Sequence, residues 1–335
     1  ALAGGTLTAG EAAVCPEDVI AGTEPFWGAH QNGITTSTQA FTYLAALDLQ
    51  TKSSAEVIAL MQAWTAAAAR MTSGETALPI NADPSVPAAD SGEALGLGPR
   101  RLTLTFGFGA GLFEKDGQDR FGWAGSRPAA MVDLPKFNGD QLDPGRTGGD
   151  LSVQACADDP QVAFHAVRQL VGLSYGTASL RWTQTGFASR DGKGTPRNLM
   201  GFKDGTRQPT DLEAAVWVGE EGPEWMRRGS YLVVRKIRIA LEHWDRTPVD
   251  FQEQVVGRHK YSGAPLGAKE EFDPLDLRAT DADGNPLIPG DAHVRLAAPE
   301  ANDGAQILRR AFSYNDGVNF TAERWPPWRQ GIEYD

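Results

Sequence analysis

Cysteine is scarce in this chain, and its two copies, Cys15 and Cys156, stand far apart. The sequence has no CxxC pair and no Cys/His spacing typical of zinc or iron–sulfur centres. Two such distant thiols are more often unpaired, although one disulfide is compatible with the sequence. Long hydrophobic runs are also missing. No stretch reaches the roughly 18 apolar residues of a transmembrane helix, so we expect no membrane insertion.

Positive charge is in deficit as well. Lys and Arg number 31 against 43 Asp and Glu, which gives a formal net charge of −12. An acidic surface argues against nucleic acid and anionic membranes as partners, and it favours cationic or neutral substrates. Apolar residues make up 41% of the 335 residues, so the chain can bury a sizeable core in one large domain or two ordinary ones.

Motifs of several common protein classes are absent. The sequence contains no G-x-S-x-G nucleophile motif and no P-loop. The glycine run at 107–111 is followed by Leu112, where a dinucleotide-binding fingerprint requires glycine. The acidic run at 281–285 fails as an EF-hand loop, because Pro286 occupies its sixth position and Ala292 its twelfth. We therefore interpret that run as an ordinary loop.

Hydrophobic periodicity predicts a mixture of strands and helices. Alternating residues predict strands near 45–50, 101–108, 151–157, 180–189 and 229–241. A capping box at Ser53-x-x-Glu56 predicts a helix to residue 71, and Asp159 followed by proline predicts the start of a second. A third helix is predicted from Pro248. The long loops between elements favour an α+β fold over a doubly wound parallel sheet, whose connections are short.

Composition suggests two related domains. A linker-like stretch near 190–197 divides the chain, so we expect an N-terminal arm at 1–25 and domains at 26–192 and 193–335. The arm begins Ala1-Leu2-Ala3, and an Ala-x-Ala end is what signal peptidase leaves. Export is therefore an expectation from the sequence.

The most distinctive stretch is 198–210, NLMGFKDGTRQPT. Gly201 and Gly205 bracket Asp204, and Arg207 follows three residues after it. Glycine permits positive φ and close approach of other groups, so Asp204 is predicted to lie on a tight, open turn. The alternative is an ordinary surface turn, since Asp-Gly is a common turn dipeptide.

Histidines are the other candidates for chemistry. A lone histidine is more often a hydrogen-bonded structural residue than a ligand, and no pair has the spacing of a zinc protease. His293 lies between two proline-bearing loops and is flanked by apolar residues. The remaining histidines are His30, His165, His243 and His259.

Taken in order, Asp204 in its Gly-x-x-Asp-Gly motif, His293 and then Arg309 give a pattern that resembles the dye-decolourising peroxidases, a haem-enzyme family. The runs GAHQNGI, TFGFGAGLF and GRHK, which begin at residues 28, 105 and 257, resemble the exported, twin-arginine-dependent branch of that family. This branch includes the deferrochelatase-like peroxidases. The resemblance extends from about residue 26 to 328, nearly the whole chain.

The resemblance implies an α+β fold of two ferredoxin-like domains, each with an antiparallel sheet flanked by helices. It implies one haem b per chain, in the C-terminal domain. The implied reaction is reduction of hydrogen peroxide, with one-electron oxidation of dyes, phenolics or metal ions through a ferryl intermediate. Export by the twin-arginine route and a homo-oligomer are further expectations. The alternatives are a deferrochelatase that releases iron from haem and a haem-free α+β binding protein.

The family pattern also implies roles for individual residues. His293 is expected to be the proximal ligand of the haem iron, with a carboxylate on its other ring nitrogen. Asp204 is expected to act on peroxide as a general base and then an acid. Arg309 is expected to stabilise charge on the breaking O–O bond. Arg310 competes for that role, but Arg309 directly follows Ile307-Leu308, as the distal arginine of the family does.

Binding of the haem propionates is the remaining implied role. Arg207, together with the backbone of Gly205 and Thr206, is expected to meet a propionate. The alternative for Arg207 is a structural ion pair.

Overall fold

The computed structural model describes residues 22–137, 139–189, 194–319 and 331–334. Most of the expected arm at 1–25, including Cys15, lies outside the described residues. So does the expected domain boundary between residues 192 and 193.

Six strands and six α-helices lie within the described residues. In chain order they are β1 (Phe41–Leu49), α1 (Ser54–Thr72), β2 (Thr103–Phe108), β3 (Leu151–Ala157), α2 (Pro160–Leu173), β4 (Ala178–Phe187), α3 (Leu212–Val216), α4 (Leu241–Asp245), α5 (Val249–Val256), α6 (His293–Leu296), β5 (Asn315–Asn319) and β6 (Gly331–Tyr334). Short 3₁₀ helices cover Ala110–Leu112, Ala124–Ser126, Pro144–Arg146, Glu224–Met226 and Pro299–Ala301.

The N-terminal half has the ferredoxin-like order β1-α1-β2-β3-α2-β4. Its four strands form one antiparallel sheet in the order β2-β3-β1-β4. Helices α1 and α2 contribute their buried residues to the same apolar core as the sheet, and the indole of Trp64 in α1 donates a 2.8 Å hydrogen bond to the carbonyl of Leu170 in α2. The α+β prediction is confirmed, and Trp64 lies at the centre of this core with no measurable exposure.

Local sequence signals explain where these helices begin. The Asp159 carboxylate accepts hydrogen bonds from the amides of Gln161 and Val162, so the predicted cap of α2 is confirmed. Ser53 caps α1 through a 3.4 Å bond from the Glu56 amide. The second half of the predicted capping box is wrong. The Glu56 carboxylate accepts from the Thr51 hydroxyl rather than from the Ser53 amide.

The C-terminal half is less regular than its sequence suggests. The described residues contribute one two-stranded sheet, β5 with β6. The strand predicted at 229–241 is not found among the described residues, where the segment forms only an isolated bridge at Ile239 and its apolar side chains, such as Val233 and Ile237, are 59% and 64% exposed. Its cations instead contact carboxylates, Arg235 with Asp140 at 2.6 Å. Alternation shows that two faces differ in polarity, but it does not supply a partner strand.

Several contacts join the two halves of the chain. Phe187 at the end of β4 exchanges two backbone hydrogen bonds with Ser313, at 2.7 and 2.8 Å. The indole of Trp225 donates to the carbonyl of Ser126 at 3.1 Å. None of the described helices has the length and apolar character needed to cross a bilayer.

Candidate functional site

The loop that carries Asp204 is held by hydrogen bonds among its own residues. The Asn198 side chain accepts hydrogen bonds from two amides of the loop, at 3.1 and 3.2 Å, and the Asp204 amide donates to the carbonyl of Pro196 at 2.8 Å. Gly201 and Gly205 have φ values of +85° and +114°, a region that other residues rarely adopt. The predicted tight, open turn is confirmed, and the side chain of Asp204 remains 31% exposed.

Arg309 lies beside Asp204, although 105 residues separate them. Its Nη1 is 3.5 Å from Asp204 Oδ1, and its Nη2 donates to the carbonyl of Arg207 at 3.2 Å. The Gln208 amide fixes the backbone of Arg309 by accepting from its N–H at 3.1 Å and donating to its carbonyl at 2.9 Å. No local sequence signal singles out Gln208, because its contact with Arg309 spans 101 residues.

Arg310 faces the other way. Its guanidinium donates to the carbonyl of Thr36 and to the side-chain oxygen of Gln39, both in the N-terminal half. Gln39 is fully buried and donates in turn to the carbonyl of Arg101 at 2.8 Å. Only Arg309 of the two arginines contacts Asp204 within the described residues. The structure thus places the guanidinium of Arg309 at Asp204 and that of Arg310 at the N-terminal half.

His293 begins the short helix α6 and interacts with the charges of both Arg309 and Asp204. Arg295 fixes this helix by donating to the carbonyls of Pro289 and Ile288, at 3.0 and 2.7 Å. Solvent reaches the His293 ring, yet enough protein surrounds it for burial to lower its pKa. Arg309 lowers that pKa further, and Asp204 opposes the change. The imidazole is therefore neutral at neutral pH, which is the form that binds a metal.

Arg207 and its neighbours show a mixed outcome. The Arg207 guanidinium lies 3.7 Å from Glu300 in a loose pair whose side chains are 49% and 64% exposed. The Thr206 hydroxyl donates to Glu271 at 3.0 Å. The amides of Gly205, Thr206 and Arg207 receive no hydrogen-bond acceptor from the part of the chain that the structure describes. Successive unpaired amides beside an arginine can bind an anion.

Other histidines have structural partners. His165 is buried against Asp90 at 2.9 Å, and His259 contacts Glu253 at 2.7 Å. The ring of His30 stacks on Trp217 with 4.0 Å between centroids. These contacts agree with the expectation that most lone histidines in the chain are structural.

The residues at this site fit the haem that the resemblance implies. The fit rests on an accessible neutral imidazole and on an accessible carboxylate–guanidinium pair. Leu296, on the helix of His293, and Ile307, two residues before Arg309, are 59% and 73% exposed, and a porphyrin requires apolar surface of this kind. A carboxylate was expected to bind the second ring nitrogen of His293. Among the described residues, no carboxylate lies within hydrogen-bond distance of that ring.

This chain is similar to several known proteins. The family models of the N-terminal and C-terminal parts of Dyp-type peroxidases match residues 31–188 and 195–323. A deferrochelatase of Yersinia pestis is 38% identical over 94% of this chain and 76% of its own length. A dye-decolorizing peroxidase of Thermobifida fusca is 38% identical over 86% and 68%. The solved oxyferrous/water mixed complex of DtpA from Streptomyces lividans is 40% identical over 90% of this chain and 82% of that chain, with a TM-score of 0.81.

Proposed function

Because this chain belongs to the Dyp-type peroxidase family, we propose that it reduces hydrogen peroxide at a haem b held by His293, with Asp204 and Arg309 acting on the peroxide. One observation supports these roles above the others. Arg309 contacts Asp204, and the charges of these two residues both influence the pKa of His293. The reductants are small dyes, phenolics or metal ions, each giving one electron. Export by the twin-arginine route and homo-oligomerisation stay predictions from the sequence.

Each residue has a role that its surroundings support. Bound haem supplies the iron at which peroxide is reduced and to which the reductants return electrons. The neutral His293 holds that iron. Asp204 accepts the proton from the near oxygen of peroxide and delivers it to the leaving oxygen, which departs as water. Arg309, fixed by Gln208 and the Arg207 carbonyl, stabilises the negative charge on the leaving oxygen.

A haem propionate is the anion that we assign to Arg207 and the unpaired amides of Gly205 and Thr206. The loose contact with Glu300 supports this role, because an exposed ion pair is worth little and a propionate can displace it.

The test is a visible spectrum of the protein after addition of hemin and then of one equivalent of peroxide. Wild type should bind hemin and respond to peroxide, and His293→Ala should lose or scramble haem binding. Asp204→Ala and Arg309→Leu should keep haem and respond about 100-fold more slowly. Asp283→Ala and Arg246→Leu, at exposed positions of the same half, are the matched controls. Unchanged ligation in His293→Ala, or a wild-type rate in the other variants, would refute the corresponding role.

Release of iron from haem is the second candidate, favoured by the name of the Yersinia relative. Anaerobic incubation with hemin separates the two functions. Free porphyrin formed without peroxide would support iron release, whereas intact hemin and a rapid peroxide response support the peroxidase.

A further inference from the structure

Glu271 is a buried carboxylate that contacts the chain on both sides of Asp204. Its Oε2 pairs with the Nζ of Lys203, which precedes Asp204, and its Oε1 accepts from the Thr206 hydroxyl, two residues after Asp204, at 3.0 Å. No motif in the sequence singles out Glu271, which lies 65 to 68 residues from these partners.

The surroundings keep Glu271 ionised and fixed. Burial would raise the pKa of the Glu271 carboxyl, but hydrogen bonds with Lys203, Thr195 and Thr206 hold that pKa below its ordinary value. The buried Arg258 fixes its backbone, donating to the carbonyl of Glu271 at 3.0 Å. A buried carboxylate with this many donors is a rigid anchor.

Lys203 and Asp204 are neighbours that serve different partners. Lys203 pairs in an isolated antiparallel bridge with Arg197, and Asp204 directly follows it. The Lys203 side chain contacts Glu271, while the Asp204 side chain contacts Arg309. His293 also interacts with the charge of Asp204, and the Arg207 guanidinium on the same loop pairs with Glu300.

We propose that Glu271 is a positioning residue for Asp204. Its carboxylate binds the residues on both sides of Asp204 and so fixes the turn. It also pairs with the Lys203 cation, which leaves Arg309 as the cation paired with Asp204. This inference rests on the proposed role of Asp204 in the peroxide reaction.

The test compares Glu271→Gln, Lys203→Met and the double variant in the haem-loaded protein. Glu270→Gln is the matched control, since its side chain is exposed and adjacent in sequence. The first readout is hydrogen exchange of the backbone amide of Asp204, which donates to the carbonyl of Pro196. Glu271→Gln should speed exchange about tenfold, as expected when a charge-assisted hydrogen bond is lost. Thr206→Val removes one of the two contacts of Glu271 with the turn and keeps the Lys203 pair, so it should produce a smaller increase.

The second readout is the pH at which the peroxide reaction reaches half its maximal rate. Glu271→Gln leaves the Lys203 cation without its partner and free to compete with Arg309 for Asp204, so this pH should fall by about 0.5 unit. Lys203→Met leaves Glu271 unpaired and should raise it by a similar amount. The double variant should return close to the wild-type value, and the Glu270→Gln control should show no change. A fold defect would slow the reaction without producing opposite shifts.

Slower maximal rates with unchanged pH profiles in both single variants would overturn the proposal, as would wild-type exchange in Glu271→Gln. If Glu271→Gln fails to fold, Lys203→Met and Thr206→Val still decide between these outcomes.

A wild-type peroxide rate in Asp204→Ala would instead refute the proposed role of Asp204. The exchange readout would then separately decide whether Glu271 holds the turn.

Discussion

The pKa of His293 lies below its ordinary value of 6.5 because burial and the Arg309 cation both disfavour the imidazolium, with Asp204 opposing them. The neutral ring therefore persists below pH 6.5 and is lost as the pH falls through the lowered pKa. Protons compete with iron for the ring nitrogen, so acidification should release haem in that range.

Two variants should move this release in opposite directions. Arg309→Leu removes one cause of the lowered pKa, so the midpoint of haem loss should rise by about 0.5 pH unit. Asp204→Asn removes the opposing charge and should lower the midpoint. Haem absorbance followed during an acid titration measures both, with Arg246→Leu as the control. Identical midpoints in all four proteins would contradict the charge interactions of His293.

Single residues also show what a sequence can reveal about this site. Asp204, His293 and Arg309 were predicted because each stands in a family pattern that is read along the chain. Gln208 and Glu271 were not predicted, since their contacts span 65 to 101 residues and depend only on the fold. Residues proposed to react are thus easier to predict from sequence than residues whose contacts depend on the fold.

At the scale of elements, the glycines after β2 have a packing role. The glycines at 107–111 do not form a dinucleotide-binding fingerprint, and their spacing alone predicts no packing role. A Cβ on Gly109 would overlap the carbonyl of Gly149, and one on Gly111 would overlap the carboxylate of Asp150. Asp150 is buried and accepts hydrogen bonds from Lys115 and Arg120, which restrict movement of its carboxylate and of the adjoining Gly149 carbonyl.

We therefore expect Gly109→Ala to lower the free energy of unfolding by about 1–3 kcal/mol, the cost of overpacking against backbone. Gly125→Ala, where a Cβ meets nothing within 4 Å, is the control and should be close to neutral. Urea denaturation of both variants provides the measurement. Equal midpoints for the two variants would show that the loop relaxes.

Elements with strong local signals were predicted well, and the others were not. Helices α1 and α2 begin where Ser53 and Asp159 cap them, and β3 covers the predicted residues 151–157. The strand predicted at 229–241 is not formed among the described residues, because alternation alone does not supply the hydrogen-bonding partner that a strand needs.

At the scale of the whole molecule, Arg310 joins the candidate site to the N-terminal sheet. Arg310→Met should leave buried Gln39 and the Thr36 carbonyl without their donor, at a cost of about 2 kcal/mol. We expect a thermal midpoint several degrees lower and a slower peroxide reaction, because Arg309 loses its neighbour's anchor. Arg246→Met is the exposed control. A variant with wild-type stability and rate would show that the two halves are held by other contacts.

Because Arg309 and Arg310 contact different partners, insertions and deletions in this segment are constrained. One peptide bond separates the side chain that faces Asp204 from the side chain that faces Gln39, and Ser313 is paired to Phe187 three residues later. A gained or lost codon between positions 309 and 313 would turn one of these groups away from its partner. Lineages that carry this arrangement can exchange many surface residues, but they have to inherit the length of this segment unchanged.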